Sequence, residues 1–319
     1  MKIAKRLVTT LACLLGSNSV YALDWSRVSG ELLFASIYTH SDSNLYAQGN
    51  PNLEDPTSRN DNGDKFIATP LGNINYALDD AQSHRLYIGT SRDDLAVGTL
   101  AFELGYQRQL DSGTTFDLAY LPTVLPSEVW ADPYTMNQAR EKTDVDGDAF
   151  RLKLSNISSS LFSLDMAYAR ADIENDQVTE DVLKRDSKAY YIKGQYLSML
   201  DTRSGINYGL SYTLHNAEGK ANSHNKYSAE ASYFFQSSKY AFALTGTYTH
   251  RAYKALNPIF NRTQSDNAYR LFFAYEYKDL PNWDNWSVST FAGTTKNNSN
   301  IEFFDSREWL LSLSLNYAF

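Results

Sequence analysis

Five histidines and one acidic run are the residues whose chemistry has to be weighed first. The histidines are His40, His84, His215, His224 and His250. A lipid or peptide hydrolase needs a histidine beside a serine nucleophile or an aspartate. No nucleophile motif accompanies any of the five, so no enzyme is expected. The run Asp144-Val-Asp-Gly-Asp148 places carboxylates at alternate positions, as the start of a calcium loop does. Gly147 is misplaced for such a loop, and no Glu stands at its twelfth position. No metal site, catalytic site or cofactor is therefore expected. What remains is a set of charged side chains recurring within apolar runs, and their meaning depends on the elements that carry them.

Those elements are strands. Trp309, Leu311, Leu313, Leu315, Tyr317 and Phe319 alternate with Ser312, Ser314, Asn316 and Ala318, and only Leu310 breaks the pattern. A period of two means a strand whose faces meet different surroundings. Tyr208, Leu210 and Tyr212 alternate with Gly209, Ser211 and Thr213; Leu271, Phe273 and Tyr275 alternate with Arg270, Phe272 and Ala274. The pattern predicts strands near 28–38, 65–78, 84–92, 95–110, 114–125, 147–156, 161–171, 187–197, 205–215, 226–235, 240–253, 268–277, 286–294 and 307–319. Short gaps such as 79–83 and 236–239 alternate with long polar ones such as Thr39–Asp64, Pro126–Asp146 and Asp172–Asp186. A very short Asp93-Asp94 turn is the exception on the long side.

Short turns at one end and long loops at the other describe an all-β, up-and-down transmembrane antiparallel β-barrel of about 14 strands, with 12 as the alternative. Lipid offers no hydrogen-bond partners, so such a sheet must close on itself. The apolar face is rich in aromatic residues near strand ends, as interfacial girdles require. Trp309 belongs to the outer girdle; Trp286, Tyr317 and Phe319 belong to the inner one.

Alternation then sends charge inward. Glu31, Glu103, Asp117, Asp165, Glu230 and Glu276 are assigned to the lumen with Arg85, Arg151, Lys153, Lys193, Lys226 and Arg270. A Lys or Arg facing lipid at the midplane costs about 2–4 kcal/mol, which enforces that direction. Opposite signs across a narrow lumen set up a transverse field and a small hydrophilic pore; alternatively they pair and plug the lumen. The balance of six acids and six bases argues against strong charge selectivity. The long loops are acidic and read as solvated: Thr39–Asp64 carries five acids and one base. They are expected to hold divalent cations loosely beside lipopolysaccharide phosphates.

Residues 1–22 read as a secretory signal peptide, with Lys2, Lys5 and Arg6 before a short apolar stretch and Ala22 before the cut. The barrel domain is 23–319. The only Cys, Cys13, lies in the leader, which excludes a disulfide framework. The whole chain of 319 residues carries a net charge of −8, which speaks against nucleic acid as a partner. A polar mean hydropathy of −0.44 combined with 23 Tyr fits a barrel with a wet interior and an aromatic exterior.

The stretches Thr69–Gly72, Tyr87–Arg92 running into Ala96–Phe102, Tyr120–Val124 and Asn257–Asn261 are similar to those of an uncharacterised family of Gram-negative outer-membrane proteins, a domain of unknown function. The resemblance covers nearly all of the mature chain. It implies the barrel fold and the cell outer membrane, and it supplies no functional residue. The strand ending at Phe319 also resembles the C-terminal signal read by the barrel assembly machinery. The expected function is a porin-like channel for passive diffusion of small polar solutes. A structural or adhesive surface barrel with acidic extracellular loops is the second reading, and an outer-membrane hydrolase the third. Lipid, lipopolysaccharide and the assembly machinery are the expected partners, with the chain as a monomer.

Overall fold

The computed structural model describes residues 24–55, 63–91, 101–123 and 127–319. The leader and the Asp93-Asp94 turn lie outside the described residues. The strands are β1 (Val28–Ser41), β2 (Asp64–Ala77), β3 (His84–Thr90), β4 (Phe102–Gln109), β5 (Thr115–Pro122), β6 (Ser127–Trp130), β7 (Lys142–Ser155), β8 (Phe162–Ile173), β9 (Ser187–Met199), β10 (Ser204–Ala217), β11 (His224–Gln236), β12 (Tyr240–Asn257), β13 (Arg262–Tyr277), β14 (Trp286–Ser299) and β15 (Ser306–Ala318). All pair antiparallel with sequence neighbours, and β1 closes the ring on β15. β5 and β6 both pair with β7, β5 along its inner part and β6 along Lys142–Val145. They share one stave, so the ring has 14 staves.

The outer face holds the apolar residues. Leu210, Leu271, Leu311 and Leu313 are exposed there, where lipid takes the place that a core takes in a soluble protein. A row of register partners, Tyr120, Phe150, Tyr168 and Tyr190, runs across β5, β7, β8 and β9. Ring centroids stand 5.2 Å apart at Tyr120–Phe150 and at Tyr168–Tyr190. Such cross-strand aromatic pairs each add up to about 1 kcal/mol. At the opposite end Tyr317 packs on Trp286 at 4.9 Å and on Phe319 at 6.3 Å. A closed antiparallel barrel with an apolar, aromatic-banded exterior is a protein of the cell outer membrane.

Several strands run further outward than alternation indicates. β12 continues to Asn257 and β14 to Ser299, and β7 begins at Lys142. Beyond the lipid the outward face no longer has to be apolar, so the sequence period fades while the hydrogen-bond ladder continues. The Asp144–Asp148 run therefore lies inside β7, paired with β6 and β8, and is no loop. Its Asp148 is bound by Arg170 across the ladder.

The outer loops correct a second expectation. They are not solvated strings. Leu53, Ile301, Phe303 and Phe304 form one buried cluster, joined by Tyr134, Met136 and Phe260. Val178, Leu183 and Ala221 form another, and Tyr134 touches both. The acidic composition conceals this because a few well-spaced apolar residues from six loops are enough to build a small core.

Candidate functional site

The barrel encloses a cavity of about 1400 Å³. It runs from Asn156 and Lys278 at the short-turn end to Ser91, Thr249 and Arg251 towards the loops. All twelve charged residues that alternation sends inward stand on its wall. Register explains their arrangement. Asp117, Lys153, Asp165 and Lys193 are successive partners across β5, β7, β8 and β9. The row therefore alternates in sign, which favours each contact.

Beside that row Arg151 is held on two sides. Its Nη1 donates to Glu103 Oε1 at 2.8 Å; its Nε and Nη2 donate to Asp165 Oδ1 and Oδ2 at 3.0 and 2.6 Å. The Glu103 and Asp165 side chains are 3% and 6% exposed. Tyr87 Oη donates to Asp117 Oδ1 at 2.5 Å and reaches Glu103 Oε2 at 3.2 Å. At the end of the same row Lys193 Nζ donates to Glu230 Oε1 at 2.8 Å, passing over β10. It can do so because Gly209 lies between them; a Cβ there would stand 2.8 Å from Lys193 Cε. Arg151 with Glu103 and Asp165, and Lys193 with Glu230, line the wall as ion pairs and leave the cavity between them.

Tyr87 and Arg251 also line the cavity. Parity in the sequence points both of them inward. Assigning aromatic residues to lipid hides Tyr87, and Arg251 falls at the fading outer end of its strand. Glu308 shares the parity of Ser312 and Ser314, but the apolar Leu310 interrupts the polar face between them and hides it.

Over the outer end lies the loop layer. The loop 131–141 joins the β5–β6 stave to β7, while 300–305 joins β14 to β15, on the opposite side of the ring. Tyr134 of the first meets Phe303 of the second at 5.6 Å, and Phe260 at 6.1 Å. The layer therefore crosses the mouth. Two arginines fasten it. Arg140 stacks 4.3 Å over the Trp130 ring and donates to the carbonyls of Asn44, Asn50 and Pro51 at 2.7, 2.8 and 3.1 Å. Arg185 donates to the carbonyls of Trp130 and Ala131 at 2.8 and 2.7 Å and to Asp176 Oδ1 at 2.7 Å. Burial pushes the Arg140 guanidinium down to about 10 and the Tyr134 phenol up to about 12. Among the described residues, none from the loops 42–55, 131–141, 174–186, 218–223, 258–261 or 300–305 lines the cavity.

His40, His84 and His250 stand apart, while His215 and His224 are register partners. His40 Nδ1 lies 2.8 Å from Asp64 Oδ1, its register partner, and Asp64 also accepts from Tyr38 Oη. His84 meets Tyr106 Oη at 2.6 Å and His250 meets Asn267 Oδ1 at 3.0 Å. His215 and His224 stack on each other at 4.6 Å. None of these ring contacts involves a serine hydroxyl.

The family model described as "Protein of unknown function (DUF2860)" matches residues 28–318. No curated protein matches the chain. Among solved structures the chain is similar to the loop L8 deletion mutant of OmpT, an outer membrane protein of Vibrio cholerae, at 9% identity and TM-score 0.44, over 92% of this chain and 99% of that one. It is similar to a FadL homologue of Pseudomonas aeruginosa at 11% identity and TM-score 0.44, over 91% and 90%. It is also similar to the outer membrane channel DcaP of Acinetobacter baumannii at 9% identity and TM-score 0.44, over 92% and 97%. At such likeness nothing about solute or activity transfers.

Proposed function

The chain belongs to this family of proteins of unknown function, DUF2860, and we propose from its lumen that it is a channel passing small polar solutes by diffusion. The observation that carries the reading is the charged cavity. Arg151, Glu103, Asp165, Lys193 and Glu230 are paired along the wall, which leaves a hydrated path of both signs for a polar solute. Catalysis forms no part of the proposal. Lipid and lipopolysaccharide around the barrel, delivery by the assembly machinery through the Phe319 strand, and a monomeric state complete the reading.

The loop layer favours a second reading, a barrel shut on the outside whose loops present a fixed surface to a partner. Planar-bilayer recording of the refolded protein separates the two. Stepwise conductance is the expected result. Silence from both the wild type and a variant with Arg140→Ala and Arg185→Ala, across a range of voltages, would overturn the channel and favour the second reading.

A further inference from the structure

The wall of the cavity breaks its own rule at one place. Asp117, Lys153, Asp165 and Lys193 oppose unlike charges across each ladder. Lys226 of β11 and Arg251 of β12 are also direct register partners, and both line the cavity. Among the described residues they are the one like-charged pair opposed on the lumen face. Like charges directly opposite each other destabilise a sheet.

A third cation adds to them. Arg270 of β13 lines the same cavity, its guanidinium 5.3 Å from the Phe272 ring centroid. Arg251 and Arg270 both act on Lys226 as like charges. Three acids stand around these cations: Glu230 and Glu308 act on Arg270, Glu308 acts on Arg251 as well, and Asp266 is the register partner of Arg251, whose Nη1 also donates to Asn297 Oδ1 at 3.2 Å. Glu230 is held by Lys193 at 2.8 Å. Asp266 accepts two bonds from Gln264 Nε2, at 3.1 and 3.0 Å, and lies 3.9 Å from Arg251. Glu308 faces Arg251 and Arg270 from β15. One step inward on the same two strands, the hydroxyls of Ser228 and Thr249 meet at 2.9 Å and also line the cavity. Ammonium, guanidinium and hydroxyl groups converging on one side of a cavity are the donor set for an oxyanion.

We propose that Lys226, Arg251 and Arg270, with Ser228 and Thr249 below them, form a binding site for the carboxylate or phosphate group of a small anionic solute. The inference deepens the channel reading and rests on it for its purpose, since the site lies on the path. The anion relieves the repulsion between Lys226 and Arg251, so occupancy stabilises the barrel as well as retaining the solute.

Equilibrium titration tests the site without requiring conduction. The refolded full-length protein is titrated in separate calorimetric runs with inorganic phosphate, succinate and, as the reference anion, chloride. Saturable binding of phosphate or succinate is expected, and which of the two binds more tightly identifies the oxyanion. Lys226→Met and Arg251→Gln are each expected to weaken binding at least tenfold, while Lys239→Gln, at a distant exposed turn, leaves it unchanged. Heat-modifiable migration on gels establishes that each variant is folded; the double variant Ser228→Ala with Thr249→Val provides a milder loss where a charge variant fails to fold. Absence of saturable binding in the wild type, or unaltered binding in folded Lys226→Met, overturns the site. Binding without conductance keeps the site and removes the channel; conductance without binding does the reverse.

Discussion

The lumen wall and the loop layer are built on opposite plans. The wall is periodic, carries its charges between apolar residues such as Leu33 and Phe291, and is held by opposed charges such as Asp117, Lys153 and Asp165. The loop layer has no period, yet it contains Trp130, Leu183 and Phe303, the largest fully buried apolar side chains among the described residues. Within the membrane, lipid receives most of the apolar face, so the interior can hold the charges and hydroxyls. Above the membrane there is water on the outside, and burial again drives apolar groups together. The difference teaches that this chain places its hydrophobic core outside the bilayer, across the mouth, and its ionic network inside.

The strongest way to break that comparison is to remove the charge at the centre of the wall. Arg151→Met leaves Glu103 and Asp165 facing each other with their side chains nearly inaccessible. Removing one partner of a buried pair costs about 3–5 kcal/mol. Urea unfolding in lipid vesicles at neutral pH should show a loss of that size, and Glu103→Gln in the Arg151→Met background should recover part of it. A loss under about 1 kcal/mol, the range of exposed pairs, would mean that the wall is solvated and not buried. In bilayer recordings the same variant should shift the reversal potential towards cations.

The loop layer should respond in the other measurement. Arg140→Ala removes a side-chain donor from the carbonyls of Asn44, Asn50 and Pro51; Asn44 O keeps the Trp130 Nε1–H and Pro51 O keeps the backbone N–H of residue 140, so each lost bond is worth about 0.5–1.5 kcal/mol. Barrel unfolding should change little, since no strand loses a ladder bond. Conductance should rise and loop proteolysis should accelerate, and more so with Arg185→Ala added. Equal conductance in wild type and the double variant would show that the layer does not restrict the mouth.

A smaller effect is expected at Gly209. Gly209→Val puts bulk where Lys193 crosses to Glu230. Separating that ion pair should alter ion preference modestly while leaving conductance within about twofold of wild type, as the pair is one contact among many on the wall. An unchanged reversal potential would place Lys193 and Glu230 away from the ion path.

These variants follow the line between what alternation reveals and what it conceals. Parity alone sends Arg151, Lys193, Glu230 and the other charges inward, because lipid penalises any other direction, and they do stand on the cavity wall. It misses Tyr87, whose aromatic ring suggests lipid although its position in β3 is inward and its hydroxyl serves Asp117. It ends β12 and β14 too early, since a ladder outside the lipid needs no apolar face. The loop layer is not legible at all. Leu53, Tyr134, Phe260 and Phe303 are far apart in sequence and share no period; only closure of the ring brings their loops together.

The mildest contrast lies at the short-turn end, in a turn held by local hydrogen bonds. Asp201 accepts bonds from the backbone N–H of Arg203 and Ser204 and from the Ser204 hydroxyl, at 2.7, 2.9 and 2.8 Å. Those bonds, the Arg203 amide foremost, hold its carboxyl below the usual carboxylate range. A depressed folded value means that the stabilisation is present above the ordinary Asp pKa and is lost as pH falls through the folded value. Asp201→Asn should therefore unfold at a slightly lower urea concentration than wild type at neutral pH, and the two curves should converge as pH falls below the ordinary carboxylate range. A difference that persists at acid pH would assign the effect to the turn's geometry and not to its charge. The turn is fully solvated, so this is the smallest of the four effects, and it separates the cost of shaping a turn from the costs of building the wall and the layer above it.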